Sequence, residues 1–442
     1  MRRTLVINVA GLSAELVAEI PSLVRLAGSG LCVPMEPVLP ATTLPMQATL
    51  TTGEPPSRHG IVANGLYFFD TAEVRFWEQS SRLVNAPRVW ELGVGKRPKV
   101  AYLFWQLGMY GSADLLLTPK PVHAPGDKLL QDCYSRPADL YRRLAGGESR
   151  LRPGEPRGPF NLMHYWGPMA GIGSSQWIAD ATAAVWREEK PDLLFTYLPH
   201  LDYSGHRLGP DSPQHKAEAR ALDALISPLV AMAEEDKARV FVLSEYSFVP
   251  VKHPVALNRT LREAGMLAVR EVEGGEYLHP GDSRAFAMVD NQVAHVYFPA
   301  DAEPASDIRK VKKLLETTPG VARVIDRAAL ARAGLDHVRS GDLVALAAPD
   351  AHFTYYWWLD EAKAPPFART VDIHAKPGFD AAELLIDMQH RCIPTIADGI
   401  RGSHGLVGAG GAGWAVLLAS DPPKDLAGRK SVKAAEVAHW LL

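Results

Sequence analysis

Cysteine is scarce in this chain. There are three in 442 residues, Cys32, Cys133 and Cys392, far apart and in no CxxC pair. That excludes a disulfide framework and a thiolate zinc site, and a reducing, cytosolic setting is the expectation. Long apolar runs are missing as well: none reaches the roughly 20 residues a membrane span needs. Nor does charge of one sign dominate, since 47 basic side chains against 50 acidic ones leave a net charge of -3, which points to no nucleic-acid or membrane partner. Repeats and low-complexity tracts are absent, and the glycines of 408–413 are too irregular for a dinucleotide loop. What remains is ordinary globular composition, 47% hydrophobic and 22% charged, in a chain long enough for one large α/β enzyme carrying an insertion.

Several short β-branched runs are bounded by turn residues: TLVINVAGL (4–12), KVAYLFW (99–105), DLLFTYL (192–198) and ARVFVLSEY (238–246). The first follows Met1-Arg2-Arg3 and superficially resembles a secretion signal, but Asn8 interrupts it and no small-residue cleavage site follows, so it reads as a buried strand. Near-continuous apolar runs of this length suit strands covered on both faces. Between them, Leu222, Leu225, Ile226, Leu229, Val230 and Ala233 recur at helical spacing, with Ser212 and Pro213 as the start of that helix. The alternation predicts an α/β fold, a doubly wound, mostly parallel sheet with helices on both faces. The rhythm changes over 270–348, where RAFAMVDNQVAHVYF (284–298), a helix around Ile308–Leu315, VARVID (321–326), a second helix and DLVALAA (342–348) read as a small inserted α+β cap. Residues 1–269 and 349–442 then form the core. Residues 143–159, rich in Gly, Arg and Pro, read as an exposed loop.

In a parallel sheet, ligands gather beyond the carboxyl ends of the strands. Asn8, Ala10 and Gly11 follow the first strand, PHLDYSGHRLGPDS follows DLLFTYL, and Glu245 and Tyr246 follow ARVFVL. Asp202 and His206, four residues apart, face the same way on a helical turn, and a zinc-like ion accepts both ligand types. Locally the pair reads equally well as a capping Asp beside an ordinary His. Thr42 or Thr43, at the start of a helix before Leu44-Pro45, reads locally as a cap first and as a nucleophile second. Asp372-Ile-His374-Ala-Lys376 offers a further metal ligand or a phosphate-binding lysine, although a structured loop is the commoner outcome. The cluster His352 to Trp358, with Trp105, is more often core than a stacking platform.

Taken together, "strand then Gly-Leu", "Thr43-Leu-Pro … Leu-Thr-Thr-Gly-x-x-Pro-x-x-His-Gly-Ile", "Leu-Asp202-Tyr-Ser-Gly-His206-x-x-Gly-Pro-Asp-Ser", "Val-Leu-Ser-Glu245-Tyr246" and "Gly-Ser-His404-Gly" resemble, in chain order over 4–405, the nucleotide pyrophosphatase/phosphodiesterase branch of the alkaline phosphatase superfamily. The resemblance implies Thr43 as nucleophile and Asp202, His206 and His404 as ligands of one metal. The family's other metal uses an Asp before the strand-one Gly, the threonine, and an Asp-His pair. Those positions hold Ala10, Thr43, Glu245 and Tyr246 here, with Asn8 and Glu245 as substitute oxygen ligands. The family's phosphoryl-holding asparagine aligns with Met46, leaving Gln47, Tyr246, His374 and Lys376 as candidate substrate contacts.

The implied activity is cleavage of a small-molecule phosphodiester or phosphoanhydride through a threonine nucleophile. It would depend on one or two divalent ions, zinc first, with manganese and iron also accepted by these ligand types. The rivals are a phosphonate or phosphomonoester hydrolase or another metal-dependent transferase on the same scaffold, and a non-catalytic binding protein.

Overall fold

The computed structural model describes residues 2–92, 97–125, 128–146, 158–299, 304–379, 381–395, 397–426 and 428–442. Its centre is a nine-stranded sheet. Thr4–Val9 lies in the middle, parallel to Leu193–Leu198 on one side and to Arg239–Leu243 on the other. Val100–Leu103 and Leu115–Pro119 extend the first side in parallel, and Cys133–Arg136 closes it antiparallel. Beyond Arg239–Leu243 lies Ala415–Ala419, antiparallel to it and to Leu31–Glu36, with Val432–Lys433 at the edge. The sheet is mixed but mostly parallel in its central part, as the buried apolar runs predict.

Alternation along the central strand sets the two faces. Leu5, Ile7 and Val9 pack with Leu23, Ile178, Trp186, Leu222 and Leu229 from the helices Pro21–Ser29, Ile172–Glu189 and Pro213–Glu235. Val6 on the other face packs with Met46 and Leu50 of Thr43–Thr52 and with Val437. Helices therefore cover both faces. Ser212 caps Pro213–Glu235 by accepting from the Gln214 N–H at 3.2 Å, with Pro213 in the first turn. Among the described residues no helix is long and apolar enough to cross a membrane.

Within 270–348 the chain forms a four-stranded antiparallel sheet of Phe286–Asp290, Val293–Tyr297, Leu343–Ala347 and Val321–Asp326, in that order, with the helix Pro304–Glu316 against it. The run 284–298 forms a hairpin. Its core is continuous with Tyr67, Phe76, Tyr203 and Tyr355–Trp358, so the aromatic cluster is core. Of the segment 143–159, residues up to 145 complete the helix Leu140–Ala145, and 147–157 lie outside the described residues.

Candidate active site

The carboxyl ends of the three central strands deliver side chains to one place. Leu193–Leu198 runs into the helix His200–Leu208, whose one-turn spacing puts His206 Nε2 3.7 Å from Asp202 Oδ1. His404, two hundred residues on, brings its Nε2 to 3.9 Å from the same oxygen. The three ligand atoms lie within 4.8 Å of one another, the one such acid and imidazole group among the described residues. A tetrahedral ion about 2.1 Å from each ligand would set ligand atoms about 3.4 Å apart, so the two histidine-to-Asp202 spacings need only a small contraction.

Hydrogen bonds on the far side of each ring fix how the imidazoles present themselves. His206 Nδ1 donates to the Gly402 carbonyl at 2.9 Å and His404 Nδ1 to the Ala41 carbonyl at 2.8 Å. Each Nε2 is therefore left with a lone pair turned toward Asp202, the arrangement that prepares histidine to bind a metal. His206 Nε2 is buried and has no hydrogen-bond partner, an acceptor whose desolvation a bound cation would offset. Burial depresses the basicity of both rings, that of His404 strongly, and His206 itself depresses His404 further. Burial raises the Asp202 carboxyl, opposed by His206 and by the Tyr246 hydroxyl. Phe248 walls the group off, edge-on to His206 and His404 at 4.8 and 5.4 Å between ring centroids. Its ring lies 2.4 Å from where a Cβ on residue 205 would stand, which explains the glycine inside Asp202-Tyr-Ser-Gly-His206.

Thr43 opens the helix Thr43–Thr52, every residue of which is buried. Thr42 is the capping residue, but its side chain makes no cap bond. Ala41 ties this entry to the His404 loop twice, since its carbonyl accepts from His404 and its N–H donates to the Gly405 carbonyl at 2.9 Å. Thr43 Oγ1 lies 3.4 Å from the Tyr246 hydroxyl, which donates to Asp202 Oδ1 at 2.9 Å. The Tyr246 ring stacks flat on His404, 3.5 Å between centroids and 1° between planes. The threonine and the acid and imidazole group thus share one pocket.

Asn8 and Glu245 sit behind it. Asn8 Nδ2 donates to Glu245 Oε1 at 2.7 Å, and Gln47 Nε2 donates to the same oxygen. Gln47 Oε1 accepts the Gln106 N–H at 2.6 Å. Burial pushes the Glu245 carboxyl up to about 8, with the two amide donors pulling the other way. His374 and Lys376 are placed differently. Lys376 pairs with Glu383 and donates to the Thr370 carbonyl at 2.8 Å, and His374 Nδ1 lies 3.4 Å from the Phe76 carbonyl. Lys376 lines a small outer cavity with Trp77, Phe379 and Glu383. Phe379 stands 6.0 Å from the His206 ring, so this cavity adjoins the site, with the lysine charge already matched by Glu383.

Two residues not singled out by sequence belong to the frame. Met46 packs in the core, its sulfur accepting from the Val38 N–H. The side-chain amide that reaches the start of the threonine helix is instead Asn64, whose Oδ1 accepts the Leu44 N–H at 2.9 Å. Asp290, from the four-stranded sheet, holds Asn64 by its backbone N–H at 2.8 Å and its Nδ2 at 3.0 Å. The available signal is position: Asn64 ends the His-Gly-Ile-Val-Ala-Asn stretch.

Residues 4–380 match the family model of type I phosphodiesterase/nucleotide pyrophosphatase. An uncharacterized pyrophosphatase/phosphodiesterase of Schizosaccharomyces pombe is 26% identical over 238 residues, which span 52% of this chain and 41% of that protein. Among solved structures, phosphonoacetate hydrolase from Sinorhizobium meliloti with phosphonoformate aligns at a TM-score of 0.59 and 17% identity over 99% of this chain and 94% of that one. Murine ectonucleotide pyrophosphatase/phosphodiesterase 5, as an inactive threonine-to-alanine form with AMP, aligns at 0.59 and 15% identity over 99% and 93%. At these identities the structural likeness shows the fold.

Proposed function

Since the chain belongs to the type I phosphodiesterase/nucleotide pyrophosphatase family, we propose that it is a metal-dependent hydrolase cleaving a small-molecule phosphodiester or phosphoanhydride, with Thr43 as nucleophile and Asp202, His206 and His404 holding a divalent ion. The observation that carries this reading is the convergence of those three ligand atoms, one of them an unpartnered buried nitrogen, beside the Thr43 hydroxyl. One carboxylate and two neutral imidazoles suit zinc, and manganese or iron share the preference. A bound ion supplies charge stabilisation at the phosphoryl oxygens and lowers the pKa of a coordinated hydroxyl or water.

The chain's own groups do the rest. Thr43 Oγ1 gives up its proton to solvent and bonds to phosphorus as the bond to the leaving group breaks with its electron pair. The phosphoryl group, still carrying any second ester substituent, stays on Oγ1 until water adds at phosphorus and the Oγ1–P bond breaks, Oγ1 regaining a proton. Tyr246 orients the Thr43 hydroxyl through its own, and the first turn of the threonine helix faces the developing negative charge. Gln47 lies one helical turn beyond the nucleophile, Lys376 lines the outer cavity, and His374 lies beside its Phe76 wall, where both could meet substrate. In the same reading, 270–348 is an inserted cap, Asp290 its contact with the nucleophile frame, and the three unbridged cysteines suit the cytosol. The structurally similar murine enzyme has an inactive form with a threonine-to-alanine change, which favours a threonine nucleophile in this reading.

The test is hydrolysis of a diester, a monoester, a nucleoside triphosphate and a phosphonate by wild type and Thr43→Ala, with acid-quenched protein searched by mass for a phosphoryl adduct. Diester or anhydride turnover lost in the variant, with the phosphoryl group and its remaining ester substituent trapped on Thr43, is the expected result. Unchanged activity in Thr43→Ala would sink the mechanism, and turnover confined to the phosphonate or monoester would reassign the substrate.

A further inference from the structure

The family resemblance implies a second cation bound by an Asp before the strand-one glycine, the threonine and an Asp-His pair, and the residues present do not fit it. Ala10 is fully buried and its methyl group offers no donor. Glu245 Oε1 is already taken by two N–H groups, from Asn8 and Gln47. The Gln47 amide is oriented by a separate contact, because its Oε1 accepts the Gln106 backbone N–H at 2.6 Å. Gln47 therefore turns the positive end of its dipole toward the place a cation would occupy. Tyr246 sends an O–H donor to Asp202 Oδ1, and its ring is held flat against His404.

Lone pairs do remain there. Asn8 Oδ1 and Glu245 Oε2 are buried and without partners. With the Thr43 hydroxyl they make one carboxylate oxygen and two neutral oxygens, where the implied site has two carboxylates, an imidazole and the threonine, so the anionic and nitrogen ligands a zinc ion favours are mostly missing. Two dications held close together repel unless anionic ligands offset their charge, and among the described residues Glu245 is the carboxylate bonded to Asn8 and Gln47.

We infer that this chain binds a single divalent ion, at Asp202, His206 and His404, and that the hydrogen-bonded group Asn8, Gln47, Glu245 and Tyr246 stands where related sites hold a second. This rests on the proposed hydrolase reading and can fail separately from it. The experiment is calorimetric titration of the chelator-stripped full-length protein with Zn²⁺ alone, together with the paramagnetic resonance spectrum of Mn²⁺-loaded protein. One tight equivalent of Zn²⁺, lost in His206→Ala and kept in Glu245→Gln, is expected, with the spectrum of an isolated Mn²⁺ ion. Two tight equivalents, or a spectrum of coupled Mn²⁺ ions, would overturn the inference alone and assign Asn8 Oδ1 and Glu245 Oε2 as ligands. One equivalent lost in Glu245→Gln and kept in His206→Ala would overturn both the assigned site and the hydrolase reading, as would no tight binding. The wild-type count and spectrum decide the number even if a variant misfolds.

Discussion

Replacing Glu245 with glutamine isolates a carboxyl that the fold holds neutral far above its usual range. The side chain is fully buried, and its titration moves from 4.5 to about 8, chiefly through burial. In the metal-stripped protein the sign follows directly. Below about pH 4.5 the carboxyl is protonated in folded and unfolded chains alike, and its neutral form is accommodated. As pH rises the unfolded chain ionises first while the folded one resists, so this contribution is lost between about 4.5 and about 8. At about 1.4 kcal/mol for each pH unit of displacement, the ceiling is on the order of 5 kcal/mol. Glutamine keeps a carbonyl for the Asn8 and Gln47 donors and does not titrate. Urea unfolding of both stripped proteins at about pH 5 and about pH 9 should show the variant gaining on wild type by several kcal/mol at the higher pH. The shared histidines and Asp202 cancel in the comparison. A stability difference that stays flat across this range would refute the claim that the cage favours a neutral carboxyl.

Tyr246→Phe keeps the ring on His404 and removes the hydroxyl between Thr43 and Asp202. A hydrogen bond to a charged partner is worth about 1.5–3 kcal/mol, so kcat/KM should fall roughly 10- to 100-fold with zinc content unchanged; equal activity in steady-state assays would contradict the positioning role. Asn64→Ala leaves the Leu44 N–H without its partner and removes one donor to Asp290, which keeps the backbone N–H of residue 64 and Asn291, and should lower stability in urea by about 1–3 kcal/mol and turnover along with it. A variant as stable and active as wild type would show that the threonine helix is positioned by other contacts.

The parts of the fold legible in the sequence are those whose burial is symmetrical. TLVINV, LLFTYL and RVFVL are nearly continuous apolar runs because helices cover both their faces, and the 213–235 helix announces itself by Ser212, Pro213 and a one-sided stripe. Leu31–Glu36 was hidden by Pro34, which a central strand should not contain. The strand tolerates it because its neighbour Val432–Lys433 pairs only at Met35 and Glu36, leaving the proline side without a partner there. Asp202 and His206 could not be separated from a capping pair by local spacing, since both arrangements use one helical turn. His404 makes the difference, and its approach depends on the Ala41 contacts from the other end of the chain. Asn64 and Asp290 were invisible for the same reason: their meeting belongs to the packing of the four-stranded sheet on the core. Gln47 and Glu245 were legible as polar residues near the site, but the direction of the Gln47 amide is set by Gln106, which no local pattern reveals.

The central claim is that Asp202, His206 and His404 together hold a divalent ion beside Thr43. Anomalous diffraction at the zinc edge from a crystal grown with Zn²⁺ measures this directly. The account predicts one strong peak about 2.0–2.2 Å from Asp202 Oδ1 and from Nε2 of both histidines. A peak bound elsewhere, or none between these three side chains, would contradict it.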